Sequence, residues 1–194
     1  FDKPTWTDLA EGARHHGWTG ALPRYTLTPT ARICDIPAEI AAAIAKAASL
    51  VSGPIRLAGH SAGGHLVTRM LCDDSRLEPA VYNRIAGTLS ISGLHDLRPL
   101  LKTKMNETLR MTMEEATLES AALHLPRGHS PGTAWVGGGE RPEFIRQSDL
   151  LANVWTGFDV PTRLVVEPAL NHFTVIDGLK DPSSQITARL IGLD

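Results

Sequence analysis

Ile55-Arg56-Leu57-Ala58-Gly59-His60-Ser61-Ala62-Gly63-Gly64-His65-Leu66 is the stretch that decides how the chain folds. Residues 55–58 are mostly apolar and read as a short strand. Residues 59–64 are a turn of small residues, and residues 62–72 read as a helix. Gly59, Ser61 and Gly63 fit the pattern Gly-x-Ser-x-Gly, set between a strand and a helix. In that setting the bend is so tight that small residues flank the serine, since a side chain there would meet the backbone. The bend lifts the serine hydroxyl above the end of a sheet. It also sets the N–H of Ala62 at a helix N-terminus, where it can stabilise a developing oxyanion. The plain alternative, a glycine-rich turn with a surface serine, lacks a reason for the strand before and the helix after.

The same alternation continues outward. A helix is expected over residues 5–16, behind Pro4, with Thr5 and Asp8 resembling a capping box and Gly17 closing it. Residues 18–27 read as a strand despite Pro23. Asp35 is placed to cap the next helix, with Pro37 in its first turn. Ile40, Ile44, Ala47, Ala48 and Val51 form one apolar stripe on it, and Gly53-Pro54 ends it. Further strands are expected at 85–92, 133–136 and 162–166. A helix starts at Pro142 with Phe144, Ser148, Leu151, Ala152 and Trp155 turned inward, and another closes the chain over 183–191. Residues 98–125, rich in Lys, Met and Glu, read as one or two surface helices. Strands alternate with helices and no tight hairpin signal joins two strands, so a mostly parallel sheet with helices on both faces is expected. The chain, residues 1–194, reads as one domain with a small helical insertion at about 98–125.

Composition narrows the function. The chain has 194 residues, and 19 Lys+Arg against 21 Asp+Glu give a net charge of −2. That balance argues against nucleic acid or an anionic membrane surface as the main partner. Two cysteines, Cys34 and Cys72, are too few for a disulfide scaffold, which makes a reduced cytoplasm the default location. The most apolar stretch, Ile36 to Val51, holds Glu39 and Lys46 and falls short of a bilayer span of about 20 residues. No basic segment precedes an apolar one in the manner of a signal peptide. The chain opens on Phe1-Asp2-Lys3-Pro4 without an initiator Met, which suggests a start partway through a larger fold.

A serine hydroxyl is a weak nucleophile at neutral pH and needs a base, and the base needs an orienting acid. In this architecture the chain order is serine, acid, histidine. Five histidines follow Ser61. His65 lies on the helix just past the serine, and His95, His124 and His129 lie in or near the insertion. His172 lies in the loop after the last strand, where the base belongs. Glu140 follows Gly137-Gly138-Gly139 directly after the strand 133–136, and a glycine run lets a loop bend a carboxylate onto an imidazole. Asp96, after the strand 85–92, is the rival acid, although beside Gly93 it also reads as a loop-shaping residue. Glu143 and Asp149 fall on the following helix and face solvent. No metal or cofactor is expected. His15 and His16 are adjacent and point about 100° apart on a helix, the cysteines read as core residues, and the basic residues of 98–110 as a solvated face.

These residues resemble the kynurenine formamidase (arylformamidase) branch of the α/β-hydrolases, near the hormone-sensitive-lipase-like esterases. The resemblance is carried by Gly59 to Leu66, by Ile91-Ser92-Gly93-Leu94-His95-Asp96-Leu97-Arg98-Pro99-Leu100, by Glu140-Arg141-Pro142-Glu143-Phe144-Ile145-Arg146-Gln147-Ser148, and by Asn171-His172-Phe173. The opening, Phe1-Asp2-Lys3 through Tyr25-Thr26-Leu27, is similar as well. It implies an α/β-hydrolase three-layer sandwich whose first strands fall before Phe1. It also implies hydrolysis of the N-formyl amide of N-formylkynurenine or a similar aryl formamide, with Ser61 as nucleophile, Glu140 as acid, His172 as base and Ala62 in the oxyanion hole. The chain departs from the family in two ways. Glu140 stands where the family commonly has Asp, and the His-Gly-Gly stretch that supplies further oxyanion donors is not within residues 1–194.

The expected partner is a small-molecule substrate, with no nucleic acid and no membrane; a homodimer stays open as the assembly. Trp6, Tyr25 and Phe173 are candidates for an aryl pocket. Two other functions fit the same residues: a carboxylesterase for small acyl esters, and a binding protein of this fold without catalysis.

Overall fold

The computed structural model describes residues 6–193. Pro4 and Thr5, the expected start and cap of the first helix, lie outside these residues, as does the opening Phe1-Asp2-Lys3. A 3-10 turn at Thr7–Ala10 runs into α1 (Glu11–His15), and Gly17 follows at φ 81°. Residues 18–27 form no strand, which corrects the sequence expectation. Pro23 carries no N–H, and the Thr26 N–H is bonded to Glu39 Oε2 at 2.8 Å rather than to a neighbouring strand.

Helix α2 (Ile36–Leu50) carries its apolar stripe through Ile36, Ile40 and Ala41, all buried, with Ile44 packed beside them. The stripe surfaces toward its end, and Val51 is exposed. Asp35 stands at the cap position but does not cap the helix; its Oδ2 accepts the Arg32 N–H at 3.1 Å, one turn upstream.

Strand β1 (Ile55–His60) leads into α3 (Ala62–Arg69), and α4 (Pro79–Tyr82) precedes β2 (Ile85–Ile91). The expected surface helices at 98–125 are a chain of short turns: a 3-10 turn at Arg98–Lys102, α5 (Asn106–Leu109), α6 (Met113–Leu118) and a 3-10 turn at Ala121–Leu123. Arg110, in the left-handed region at φ 53°, breaks the segment. It is also less superficial than its composition implies. Met111, Ala116, Ala121 and even Glu115 and Glu119 are buried. Glu115 is held by the Arg32 guanidinium at 2.6 Å and the Cys34 N–H at 3.2 Å, and Glu119 by Arg69 at 3.0 Å.

Strand β3 (Gly132–Gly137), α7 (Pro142–Thr156), β4 (Thr162–Glu167) and α8 (Gln185–Ile191) complete the order. The four strands form one sheet in the order β1-β2-β3-β4, every neighbouring pair parallel. One face packs against α2, α3 and α7 through Leu57, Leu66, Met70, Leu151 and Trp155. On the other face Leu89, Ile91 and Trp135 meet Val175, Ile176 and Leu179 from the segment leading into α8 and Ile186 from α8 itself. Apolar cover on both sheet faces is what a parallel sheet requires. Because all four strands run the same way, their C-terminal ends lie along one edge, where ligands bind in open α/β sheets.

Candidate active site

Ser61 follows the last residue of β1 and caps α3 with φ 54° and ψ −113°, a conformation that a side chain with a Cβ adopts only when its surroundings hold it there. The hold is visible. The Ser61 N–H donates to the Ile91 carbonyl at the end of β2 at 2.9 Å. A Cβ on Gly59 would lie 2.1 Å from the Gly63 carbonyl oxygen, and one on Gly64 would lie 2.7 Å from Gly93 Cα. A Cβ on Gly63 would meet nothing within 4 Å. The steric demand therefore falls on Gly59 and Gly64, whereas the sequence pattern assigns it to Gly59 and Gly63. Ala62 opens α3 and is exposed; the first N–H groups of a helix have no carbonyl partner within it and face outward to an incoming charge.

His172 comes from the loop after β4. Asn171 shapes that loop: its Oδ1 accepts the N–H groups of Phe173 at 2.9 Å and Thr174 at 3.1 Å. The His172 Nε2 lies 3.1 Å from Ser61 Oγ, and its Nδ1 lies 2.7 Å from Glu140 Oε2. Glu140 lies beyond the end of β3. A Cβ on Gly137 would fall 2.3 Å from the Leu170 carbonyl oxygen, so the glycine run lets the two loops close on each other. Glu140 has a fully buried side chain, and its second oxygen, Oε1, accepts the Gly137 N–H at 2.9 Å and the Ser92 hydroxyl at 2.5 Å. The three groups thus form a chain of hydrogen bonds. Such a chain can take the serine proton onto Nε2 while the carboxylate holds the Nδ1–H tautomer and balances the imidazolium.

The rival acid is elsewhere. Asp96 is buried and bound by the Arg98 guanidinium at 2.9 and 3.0 Å, which holds its carboxyl below the usual carboxylate range. Its backbone, with that of His95, is pinned by Gln147, whose Oε1 accepts both N–H groups at 2.7 and 2.8 Å. His65 and His95 are buried behind the serine on the α3 side and belong to the core. Glu143 pairs with Arg146.

Residues that sequence reasoning passed over complete the surroundings. The His60 Nε2–H donates to the His172 carbonyl at 2.7 Å, and the two rings sit 4.6 Å apart. Burial, and then the His172 ring, lower the His60 pKa and favour its neutral form. Phe144 lies against the other side of His172 at 4.3 Å. Of the expected aryl-pocket candidates, Phe173 stands beside His172 at 5.5 Å and is 67% exposed, and Trp6 lies 6.4 Å from His60. Tyr25 packs instead on the core layer around α2. Among the described residues, Asp73, Asp74 and His124 bring metal-ligand-type atoms within 4.8 Å of one another, but both Asp74 oxygens are taken by Arg69.

A serine held on a strained strand-to-helix bend, above a parallel sheet whose later strand ends deliver a histidine and a carboxylate, defines an α/β-hydrolase. No protein-family model matches the chain. The chain is 33% identical over 149 residues to kynurenine formamidase of Salmo salar, an alignment covering 74% of this chain and 50% of that protein. A crystal structure of a protein from a Silicibacter species, provisionally described as a thioesterase, is 44% identical. It superposes with a TM-score of 0.93 over 98% of this chain and 71% of that one. An esterase/lipase from an uncultured bacterium shares the fold at a TM-score of 0.76 and 19% identity, over 96% of this chain and 68% of that one. The chain belongs to the kynurenine formamidase-like α/β-hydrolases. It spans about half the length of the curated relatives it matches. No helix among the described residues is long and apolar enough to cross a membrane.

Proposed function

We propose that the chain carries the nucleophile, base and acid of a serine hydrolase that cleaves an aryl formamide, such as N-formylkynurenine, to the aryl amine and formate. The observation that supports this most is the hydrogen-bonded sequence Ser61–His172–Glu140 along one edge of the sheet. His172 Nε2 takes the Ser61 proton as Oγ attacks the formyl carbon. The negative charge that develops on the formyl oxygen is met by the Ala62 N–H. The imidazolium then gives its proton to the departing aryl nitrogen, the C–N bond breaks, and a formyl ester remains on Ser61. Water, deprotonated by His172, attacks that ester and releases formate. Formyl is the smallest acyl group, so the acyl side of the site needs little room, while Phe173 and Phe144 offer apolar surface to an aryl leaving group. No metal or cofactor enters the steps, and the substrate is a small molecule.

The 44% identical relative described as a thioesterase supports a second reading, an esterase acting on small acyl esters or thioesters by the same acyl-enzyme chemistry. Turnover of N-formylkynurenine and of a butyrate ester and thioester by the whole protein separates the two. The formamidase reading expects a clear preference for the formamide, and a strong preference for either butyrate substrate overturns it. Labelling by a fluorophosphonate probe tests whether the site is catalytic at all. Labelling is expected and is lost in Ser61→Ala; no labelling, or labelling that survives the substitution, favours a binding protein.

A further inference from the structure

At the end of β2, one residue past its last rung, Ser92 has a φ of 49° and no exposed surface. A buried serine in the left-handed region is strained, and strain of this kind persists where the surroundings impose it, often at functional sites. The surroundings here are specific. The Ser92 N–H donates to the Trp135 carbonyl of β3 at 2.7 Å. The turn that follows is fixed by Gln147 on the His95 and Asp96 N–H groups. A Cβ on Gly93 would lie 2.2 Å from Ser90 Oγ, so the chain turns away without room for another side chain. The outcome is that the Ser92 hydroxyl points at Glu140 Oε1, 2.5 Å away, on the carboxylate oxygen that does not face His172.

We propose that Ser92 is a positioning residue of the reaction, acting through Glu140. This rests on the hydrolase reading above. Glu140 reaches His172 through a flexible side chain, and with only the Gly137 N–H on Oε1 its carboxylate could swing about one contact. The Ser92 hydroxyl supplies the second contact on that oxygen and leaves Oε2 facing Nδ1. The strained backbone aims the hydroxyl, and the reaction uses the aim.

The test compares Ser92→Ala, Ser92→Gly, Glu140→Gln and the double variant Ser92→Ala/Glu140→Gln in the whole protein. Glycine suits a φ of 49°, so Ser92→Gly relieves the strain and keeps the fold while deleting the hydroxyl. Loss of one hydrogen bond to a charged group is expected to lower kcat by about 10–100-fold in both serine variants, with KM little changed. Adding Ser92→Ala to Glu140→Gln costs little further, since the serine has then lost what it positions. Wild-type kcat in Ser92→Gly, a loss that falls on KM rather than kcat, or full additivity in the double variant overturns the proposal. Fluorophosphonate labelling of the unaltered protein is read alongside. If it fails, the hydrolase reading falls; if it succeeds while the serine variants behave as wild type, only the role of Ser92 falls.

Discussion

Two histidines buried behind the serine make the fold sensitive to mild acid. His65 is held neutral by its burial, with Arg69 adding to the effect, and its pKa is lowered to about 4; its Nε2–H donates to the Glu119 carbonyl at 2.8 Å. His95, between Thr68 and Ser90, is lowered to about 3 by burial and by His65. In the unfolded chain both titrate near 6.5. Above that pH neither state binds the extra protons, and stability is unaffected. As pH falls below 6.5 the unfolded chain takes up two protons that the folded chain refuses, so stability drops until the folded pKa values are reached. From pH 7.5 to 5.0 the linkage amounts to about 2 kcal/mol for each histidine, about 4 kcal/mol together. That is a large share of the 5–15 kcal/mol typical of a domain. Carboxylates with lowered pKa, such as Asp74 and Asp96, add their losses only at lower pH. Urea unfolding followed by circular dichroism across pH 7.5–5.0 measures the slope. His65→Gln keeps a side-chain N–H for the Glu119 carbonyl but does not titrate, so it is expected to remove about 2 kcal/mol of the pH dependence, leaving the shares of His95 and of His60, whose pKa burial also lowers. A stability change under about 1 kcal/mol over this window, or an unaltered slope in His65→Gln, refutes the reasoning.

Three further outcomes are expected. Gly59→Ala puts a Cβ 2.1 Å from a backbone oxygen and destabilises by about 3 kcal/mol or more, whereas Gly63→Ala, with open space around it in a helical turn, gains about 0.5–1 kcal/mol; thermal melts of the two variants show the contrast. His60→Phe keeps a ring beside His172 but removes the donor to its carbonyl; kcat is expected to fall about tenfold with stability down by about 1 kcal/mol, read from steady-state kinetics and urea titration. Arg69→Met strands buried Glu119, whose pKa burial already raises, and costs about 3–5 kcal/mol, most of it recovered in Arg69→Met/Glu119→Leu.

The parts of the fold that the sequence announces are those set by local chemistry. The elbow is legible because Gly59 and Ser61 sit between an apolar run and a helical one, and β3 and β4 because glycine or proline brackets each of them. His172 and Glu140 can be reached from chain order and from the glycine run at 137–139, and the structure sets them beside Ser61; their roles rest on the proposal above. What escapes the sequence depends on distant partners. Residues 18–27 have the look of a strand, but whether a strand pairs is decided by a neighbour that the segment itself does not name. Glu115 and Glu119 look like solvent-facing charges until Arg32 and Arg69 are brought to them. Ser92 has no pattern at all, since a Ser-Gly pair after a strand is ordinary, and only its φ and its contact with Glu140 set it apart.

The three groups of the proposed site follow the ends of β1, β3 and β4, with β2 supplying Ser92 between them. The rungs of hydrogen bonds that join adjacent strands, about 4.8 Å per step, space the strand ends, and the Asn171 loop and the glycine run at 137–139 carry His172 and Glu140 the rest of the way to Ser61.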